Sequence, residues 1–257
     1  MLQAFFVFFL GASLGSFLCA WAERGSFLRT ARGRSLCENC TITLKGHHLI
    51  PVFGWLGLRG KCGHCKRRLP FTYVLFEAGL GFALVLLFAH HFGLDLGVLS
   101  ADGLAWSLFL RDLFFTLVFA LLFAYDLFRM ELPDRITLPA IVIAFVWNFF
   151  LGVDLLHLLY GALALGGFFS LQFVISRGTW IGGGDIRMGI LLGVLLGLVG
   201  GVEALLLAYI LGASTAIVML LSGVATKKTM IPFGTFLALA GFIVLLWGNE
   251  FLNLLTF

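Results

Sequence analysis

Two aspartates and four cysteines are the residues of this chain whose types and settings could do chemistry. Asp185 lies in the stretch 181–187, Ile-Gly-Gly-Gly-Asp-Ile-Arg, with long apolar sequence on both sides. A carboxylate at membrane depth is costly unless it faces a cavity or a partner, so by default it marks function. Gly182, Gly183 and Gly184 put no side chain between Asp185 and whatever it faces, and they leave the backbone free to bend or approach closely. The candidate partner is Asp126, which ends another apolar run in Phe123-Ala-Tyr-Asp126-Leu-Phe-Arg129-Met-Glu131-Leu-Pro133-Asp134. Two carboxylates held together in a poorly hydrated site share a proton and titrate in coupled steps. One can then act as base on a water while the other protonates a carbonyl oxygen, which is aspartic-protease chemistry. The competing reading has each Asp capping a helix or closing the membrane interface. Asp134 rivals Asp126, but its place after Pro133 and before a new apolar run suits helix capping.

The cysteines form two matched pairs, Cys37-Glu-Asn-Cys40 and Cys62-Gly-His-Cys65. This is zinc-ribbon spacing, and four thiolates make a closed tetrahedral site that is structural rather than catalytic. The alternative is a pair of redox dithiols, which lack the βαβ surroundings of a thioredoxin-like motif. Cys19 stands alone in an apolar run and reads as an inert buried thiol. His64 lies inside a cysteine pair and reads as a surface residue or a neighbour of the metal ligands.

The elements that must position these groups are membrane helices. Of 257 residues, 61% are hydrophobic and 12% charged, and the mean hydropathy is +1.06. A span takes about 20 apolar residues as helix, and backbone groups in lipid must pair internally, which favours helices. About eight spans are expected on this criterion, at 2–22, 71–90, 104–125, 136–151, 158–175, 188–198, 204–221 and 233–247. The fold class is therefore an all-α polytopic membrane protein with a small zinc-ribbon-like insert between its first two helices. Residues 1–22 are expected to be the first transmembrane helix, 23–69 a Cys-rich domain, and 70–257 the remaining transmembrane domain. Gly11, Gly15 and Ser16 are spaced to let another helix pack closely on the first. A cleaved signal peptide fits poorly, because no basic residue precedes the apolar run.

Ten of the 17 Lys and Arg residues fall in the polar insert, which puts that insert in the cytoplasm by the positive-inside rule. With both termini outside, every Lys or Arg except Arg111 lands inside, including Lys227 and Lys228, while Asp95, Asp102, Asp154, His157 and Glu203 fall in external turns. Asp126 to Arg135 is expected as a short inner loop, so Asp126 and Asp185 share the inner side. Arg111 and Asp112, adjacent on one helix, are each expected to need a different partner. Nucleic acid is not expected as a partner, because topology accounts for the basic segment and no aromatic-interleaved recognition motif is present.

With these residues in hand, the chain resembles the type IV prepilin peptidases, also called prepilin leader peptidase/N-methyltransferases, which are GxGD-type aspartyl proteases. The landmarks occur in order over nearly the whole length. Gly15-Ser16-Phe17-Leu18 and Arg24 are similar to the family's opening, with Cys19 in place of its Asn. Next come Cys37 and Cys40, Ile50-Pro51, Trp55, Arg59-Gly60-Lys61-Cys62, Cys65 and Glu77. Asp126-Leu-x4-Leu132-Pro133-Asp134 is similar to the first aspartate motif. Gly182-Gly183-Gly184-Asp185 matches the second, followed by Arg187 where Lys is usual, and Ile231-Pro232-Phe233-Gly234 matches the last landmark. The resemblance implies an endopeptidase of the bacterial cytoplasmic membrane that removes the basic leader of prepilins or pseudopilins after a glycine at the cytosolic face. It implies that Asp126 and Asp185 carry hydrolysis, supported by Gly182, Gly183, Gly184, Pro133, Asp134, Glu77 and Arg187. It further implies N-methylation of the new terminus with S-adenosylmethionine, supported by a loop that zinc staples through Cys37, Cys40, Cys62 and Cys65. No oligomeric state is implied. The chain has no Gly-rich nucleotide fingerprint, and 23–69 is too small for a doubly wound domain.

Two other classes compete. A polytopic ion-coupled transporter would use the intramembrane acids as a proton relay, although the halves show no repeat of the Gly-Gly-Gly-Asp stretch. A membrane thiol oxidoreductase would use the cysteines. A peptidase without methyltransferase activity is a narrower variant of the main reading.

Overall fold

The computed structural model describes residues 2–37, 39–93, 102–224, 226 and 229–255, with side chains described as far as residue 248. Asp95, Lys227 and Lys228, assigned above to loops, lie outside the described residues. The described chain is helical, with two isolated antiparallel bridges, Leu36 to Thr43 and Lys61 to Arg68. It divides into two compact units, Met1–Thr116 and Leu117–Phe257.

The first unit is built on α1 (Leu2–Arg24) and α4 (Phe71–Phe92). Between them lie α2 (Phe27–Arg32), a 3-10 turn (Gly46–Leu49) and α3 (Phe53–Gly57). The small residues of α1 do what their spacing predicts. A methyl group on Gly11 would lie 2.8 Å from the Leu80 carbonyl oxygen, and one on Gly15 would lie 3.1 Å from the Glu77 Cα, so the two backbones touch. The unit ends in the first part of α5 (Gly103–Arg129). Arg111 and Asp112, expected to look only to different partners, also bond to each other. The long Arg111 side chain curls back so that its Nε donates to Asp112 Oδ1 at 2.8 Å, and His91 Nε2 lies 3.0 Å from Asp112 Oδ2.

The second unit holds the end of α5, then α6 (Asp134–Phe150), α7 (Leu155–Ser176), α8 (Gly183–Leu221) and α9 (Phe233–Leu255). Asp126 does not open a loop, as expected above, because Leu127 and Phe128 continue the helix. The turn comes at Met130, whose φ is 53 and whose N–H donates to the Asp126 carbonyl at 2.8 Å, a left-handed helix end. His157, expected in an external turn, lies in the first turn of α7.

The expected sixth and seventh spans fall in α8, 39 residues made of two helices that meet at a kink without an intervening loop. A straight helix of that length would run about 58 Å at 1.5 Å per residue, roughly twice the thickness of a hydrocarbon core. It is broken at Gly197 (φ 73, ψ −175), a conformation only glycine adopts without strain. The break releases carbonyls, and the buried Asn148 side chain on α6 satisfies two of them, donating to Val194 O at 2.9 Å and Leu195 O at 3.1 Å. Glu203, expected in an external turn, is instead helical and buried, and neither carboxylate oxygen has a hydrogen-bond partner among the described residues. Around the break α7 and α8 touch through glycines: a methyl group on Gly193 would lie 2.1 Å from the Gly161 carbonyl oxygen.

Among the described residues, α1, α4, α5, α7 and α8 are long and apolar enough to cross a membrane. The stretch Phe233–Gly248 of α9 is a shorter apolar helix, and α6 has 17 residues. The count of eight spans is therefore not met by this criterion, while the all-α polytopic class is. Large apolar side chains face outward, Leu163 and Val174 each 71% exposed, a surface suited to lipid rather than water.

Candidate functional site

The carboxylates of Asp126 and Asp185 each meet a helix N-terminus, that of α9 and that of α8, and in the second unit the fold brings those ends together. Asp126, in the last turn of α5, points its Oδ2 at the start of α9 and accepts the Thr235 N–H at 2.7 Å. The Thr235 hydroxyl in turn donates to Pro232 O at 2.7 Å, fixing the first turn of α9 beneath the carboxylate. Asp185, the third residue of α8, accepts the Gly182 N–H on Oδ2 at 3.0 Å, while its own N–H donates to Gly182 O at 3.1 Å. Helix N-termini stabilise negative charge through their unpaired amides and the helix dipole. Each carboxylate thus accepts an amide at a helix N-terminus, which is the capping geometry. Both residues are buried, with 6% and 8% of their surface exposed.

Leu132 is the wedge that sets this approach. Its Cβ lies 2.8 Å from where a methyl group on Gly184 would stand, and its Cδ1 lies 2.9 Å from the equivalent point on Gly234. That point on Gly234 is also 2.9 Å from Asp126 Oδ2. Gly184 and Gly234 are glycines because Leu132 and the Asp126 carboxylate occupy the space a side chain would need. Gly183, by contrast, has nothing within 4 Å of its missing methyl position. Pro133 is the N-cap of α6, and Asp134 is its first helical residue. Asp134 is exposed and takes an ion pair from Arg187 at 2.6 Å. Arg135 donates to the buried Tyr125 hydroxyl at 3.1 Å and stands over its ring, tying the 130–133 turn to α5.

The four clustered cysteines meet in the first unit. Two knuckles repeat with a shift of 25 residues. The Cys37 N–H donates to Ile42 O and the Thr41 N–H returns to Cys37 O, as the Cys62 N–H does to Arg67 O and the Lys66 N–H to Cys62 O. Thr41 and Lys66 occupy equivalent left-handed positions, with φ of 54 and 59. The four sulfurs lie within 4.8 Å of one another, Cys37 to Cys65 at 3.7 Å and Cys40 to Cys62 at 4.0 Å. Tetrahedral sulfur ligands at about 2.3 Å from a zinc ion are about 3.8 Å apart, so the cluster fits one metal ion. The contacts of 3.7 and 4.0 Å are inter-knuckle and far above a disulfide length, which does not suit two separate redox dithiols. The Arg67 amide beside Cys65 holds that thiol down at about 6, and the amides of Cys40 and Asn39 lower Cys37.

Comparison with known proteins agrees with this division. Residues 9–91 match the bacterial peptidase A24 N-terminal domain, and residues 113–217 match the type IV leader peptidase family. A prepilin leader peptidase/N-methyltransferase from Stutzerimonas stutzeri is 32% identical over 225 residues, covering 84% of this chain and 72% of the relative. One from Legionella pneumophila is 32% identical over 225 residues, covering 86% and 74%. One from Pseudomonas putida is 31% identical over 223 residues, covering 84% and 73%. The chain belongs to the type IV leader peptidase family. No solved structure matches it.

Within this leader peptidase, Asp126 and Asp185 fall in the second matched segment, and Glu77 and the four cysteines fall in the first. Glu77 belongs to the first unit. Its Oε2 accepts the Val52 N–H at 2.7 Å in the first unit. Gly234 and Thr235, which close the Asp126 side of the site, lie beyond the second matched segment. Thr235 was not among the residues singled out from sequence. Its position directly after the Ile-Pro-Phe-Gly landmark, opening an apolar helix, is the signal that finds it.

Proposed function

We propose that this chain is a membrane aspartyl endopeptidase that removes the basic leader of prepilins or pseudopilins after a glycine, and that it methylates the new N-terminal amine. The observation that carries the reading is the pairing of Asp126 and Asp185 at two helix N-termini around the Leu132 wedge. Each carboxylate accepts a backbone amide on its Oδ2, and the water that the reaction consumes binds between the two. The deprotonated member takes a proton from that water, and the resulting hydroxide attacks the scissile carbonyl carbon. The protonated member gives its proton to the carbonyl oxygen, and on collapse the leaving amine takes a proton as the C–N bond breaks. Burial of both acids keeps the site dry enough for one shared proton.

The names of the relatives, prepilin leader peptidase/N-methyltransferase, support both halves of this activity. S-adenosylmethionine supplies the methyl group when bound. Zinc is the metal the tetrad of Cys37, Cys40, Cys62 and Cys65 suits, and it staples a polar segment too small for a large core of its own. The protein is a multi-pass bacterial inner-membrane enzyme, with the Cys-rich segment and the two aspartates toward the cytoplasm. The basic segment supports that orientation, and a basic leader left in the cytoplasm while the apolar pilin segment sits in lipid puts the cut at the inner interface. Purified chain incubated with a prepilin peptide tests the reading: cleavage after glycine is expected, and Asp126→Asn and Asp185→Asn should each abolish it. Cleavage near the parent rate by either variant refutes the assignment.

A further inference from the structure

The first unit holds a cavity of about 220 Å³ whose lining includes Cys37 of the cysteine cluster. One side of it is made by the last turn of α1 and the first turns of α4, with Glu23, Arg24, Tyr73 and Glu77. The other side is made by the knuckles, with Cys37, Asn39, Arg67 and Arg68, and Trp55 stands beside them. None of these residues belongs to the aspartate site.

The lining is pre-set. Arg67 donates to Asn39 Oδ1 at 2.7 Å, locking one knuckle to the other. The Tyr73 hydroxyl donates to the Glu23 carboxylate. Val52 sits at φ 64, ψ −54, in a tight turn closed by the Phe53 N–H on Pro51 O at 2.7 Å, and its own N–H is held by Glu77. That conformation is an outlier for a β-branched residue, and strain of this kind collects at binding sites. A wall that offers two carboxylates, three guanidinium groups and an indole suits a ligand with a cation, an anion and an aromatic face.

We propose that this cavity is the methyl-donor site, where Glu23 and Glu77 face the cationic sulfonium and ammonium groups of S-adenosylmethionine and Arg24, Arg67 and Arg68 face its carboxylate. The inference rests on the methyltransferase reading above. The volume is below the ~300 Å³ at which pockets begin to enclose a drug-sized molecule, so the cavity takes the charged amino-acid end and leaves the nucleoside at the rim. Cys37 shares the wall, which makes the metal tetrad a support for this site.

The test is calorimetry of the purified full chain with S-adenosylmethionine, S-adenosylhomocysteine and methylthioadenosine. The parent binds the donor, and methylthioadenosine, which lacks the amino-acid end, does not compete. E23Q and E77Q, shown to elute and melt as the parent does, lose about tenfold or more in affinity through the loss of charge-assisted contacts. The loss is smaller for S-adenosylhomocysteine, whose sulfur is neutral. Ultraviolet cross-linking of the bound donor to the parent chain gives labelled peptides within 16–77. Parent-like affinity in both variants, or label confined to 117–257, overturns the location while leaving the methyltransferase reading intact. A parent chain that binds no donor overturns that reading and this inference with it.

Discussion

Arg187 and Asp134 close an ion pair at 2.6 Å between the start of α8 and the start of α6. The pair joins the two aspartate motifs, and it separates Asp134 from Asp126 in kind. Asp126 is buried on an amide of α9, whereas the Asp134 side chain is 56% exposed and bonded to a cation that is 32% exposed. A pair so exposed is worth up to about 1 kcal/mol. Asp134→Ala should therefore slow leader cleavage by about fivefold at most, while Asp126→Ala abolishes it. Arg187→Lys keeps the charge but not the planar fork, and it should fall within the same small range. A cleavage time course for the three variants decides this, and loss of activity in Asp134→Ala comparable to Asp126→Ala would show that Asp134 acts chemically.

Leu132 occupies the space that a side chain on Gly184 or Gly234 would need, with contacts of 2.8 and 2.9 Å to those positions. Gly184→Ala and Gly234→Ala should each destabilise the protein by about 1–3 kcal/mol, the usual cost of overpacking, and should slow cleavage by moving the helix ends apart. Leu132→Ala added to Gly184→Ala should restore part of both losses. A double-mutant cycle on melting temperature and cleavage rate measures the coupling, and simple additivity of the two changes would rule out the wedge.

The acids and thiols were legible in the sequence because each stands against its surroundings, carboxylates in apolar runs and paired thiols in a basic, polar segment. The two knuckles were legible as spacing, since a four-residue turn fixes where both sulfurs of a pair point. What was not legible is how the backbone breaks. Hydropathy reads 188–198 and 204–221 as two spans, and the two helices of α8 do part at Gly197, φ 73, but nothing in the composition says that a single glycine makes the break with no loop between them. The same limit hid the helical setting of Asp126, because the turn at Met130 depends on a left-handed residue that carries no sequence signal. The amide of Thr235 was hidden for a simpler reason: a backbone donor 109 residues away in sequence is supplied by the fold, not by a side chain.

The metal tetrad predicts a stoichiometry and a pH response. Elemental analysis of the purified chain should give one zinc per chain, and Cys37→Ser or Cys62→Ser should lose it. Metal ligation requires thiolates, so protons compete with the ion. Cys65 has its thiol held down at about 6, while Cys40 is pushed up to about 11, so protons compete with the ion at Cys40 across the neutral range and at Cys65 as well once the pH falls below about 6. Zinc release followed with a chromophoric chelator should therefore grow as the pH falls. Retention of metal at pH 4 in the parent, or full occupancy in both serine variants, would place the ion elsewhere.

Asn148 tests whether the break in α8 needs its side chain. Its amide nitrogen donates to Val194 O at 2.9 Å and to Leu195 O at 3.1 Å, just before Gly197, and the residue is 2% exposed. Asn148→Leu fills a similar volume but leaves two buried carbonyls without a donor, each costing about 1–3 kcal/mol. The expected result is a clear drop in melting temperature, with Asn148→Gln recovering less than the parent because its amide is one methylene too far out. Gly197→Ala should be destabilised independently, since it forces a side chain into a glycine-only conformation with His157 Nε2 2.9 Å from the new methyl group. If Asn148→Leu melts with the parent, the carbonyls at the break find other donors, and the break is held by Gly197 and its packing against α7 alone.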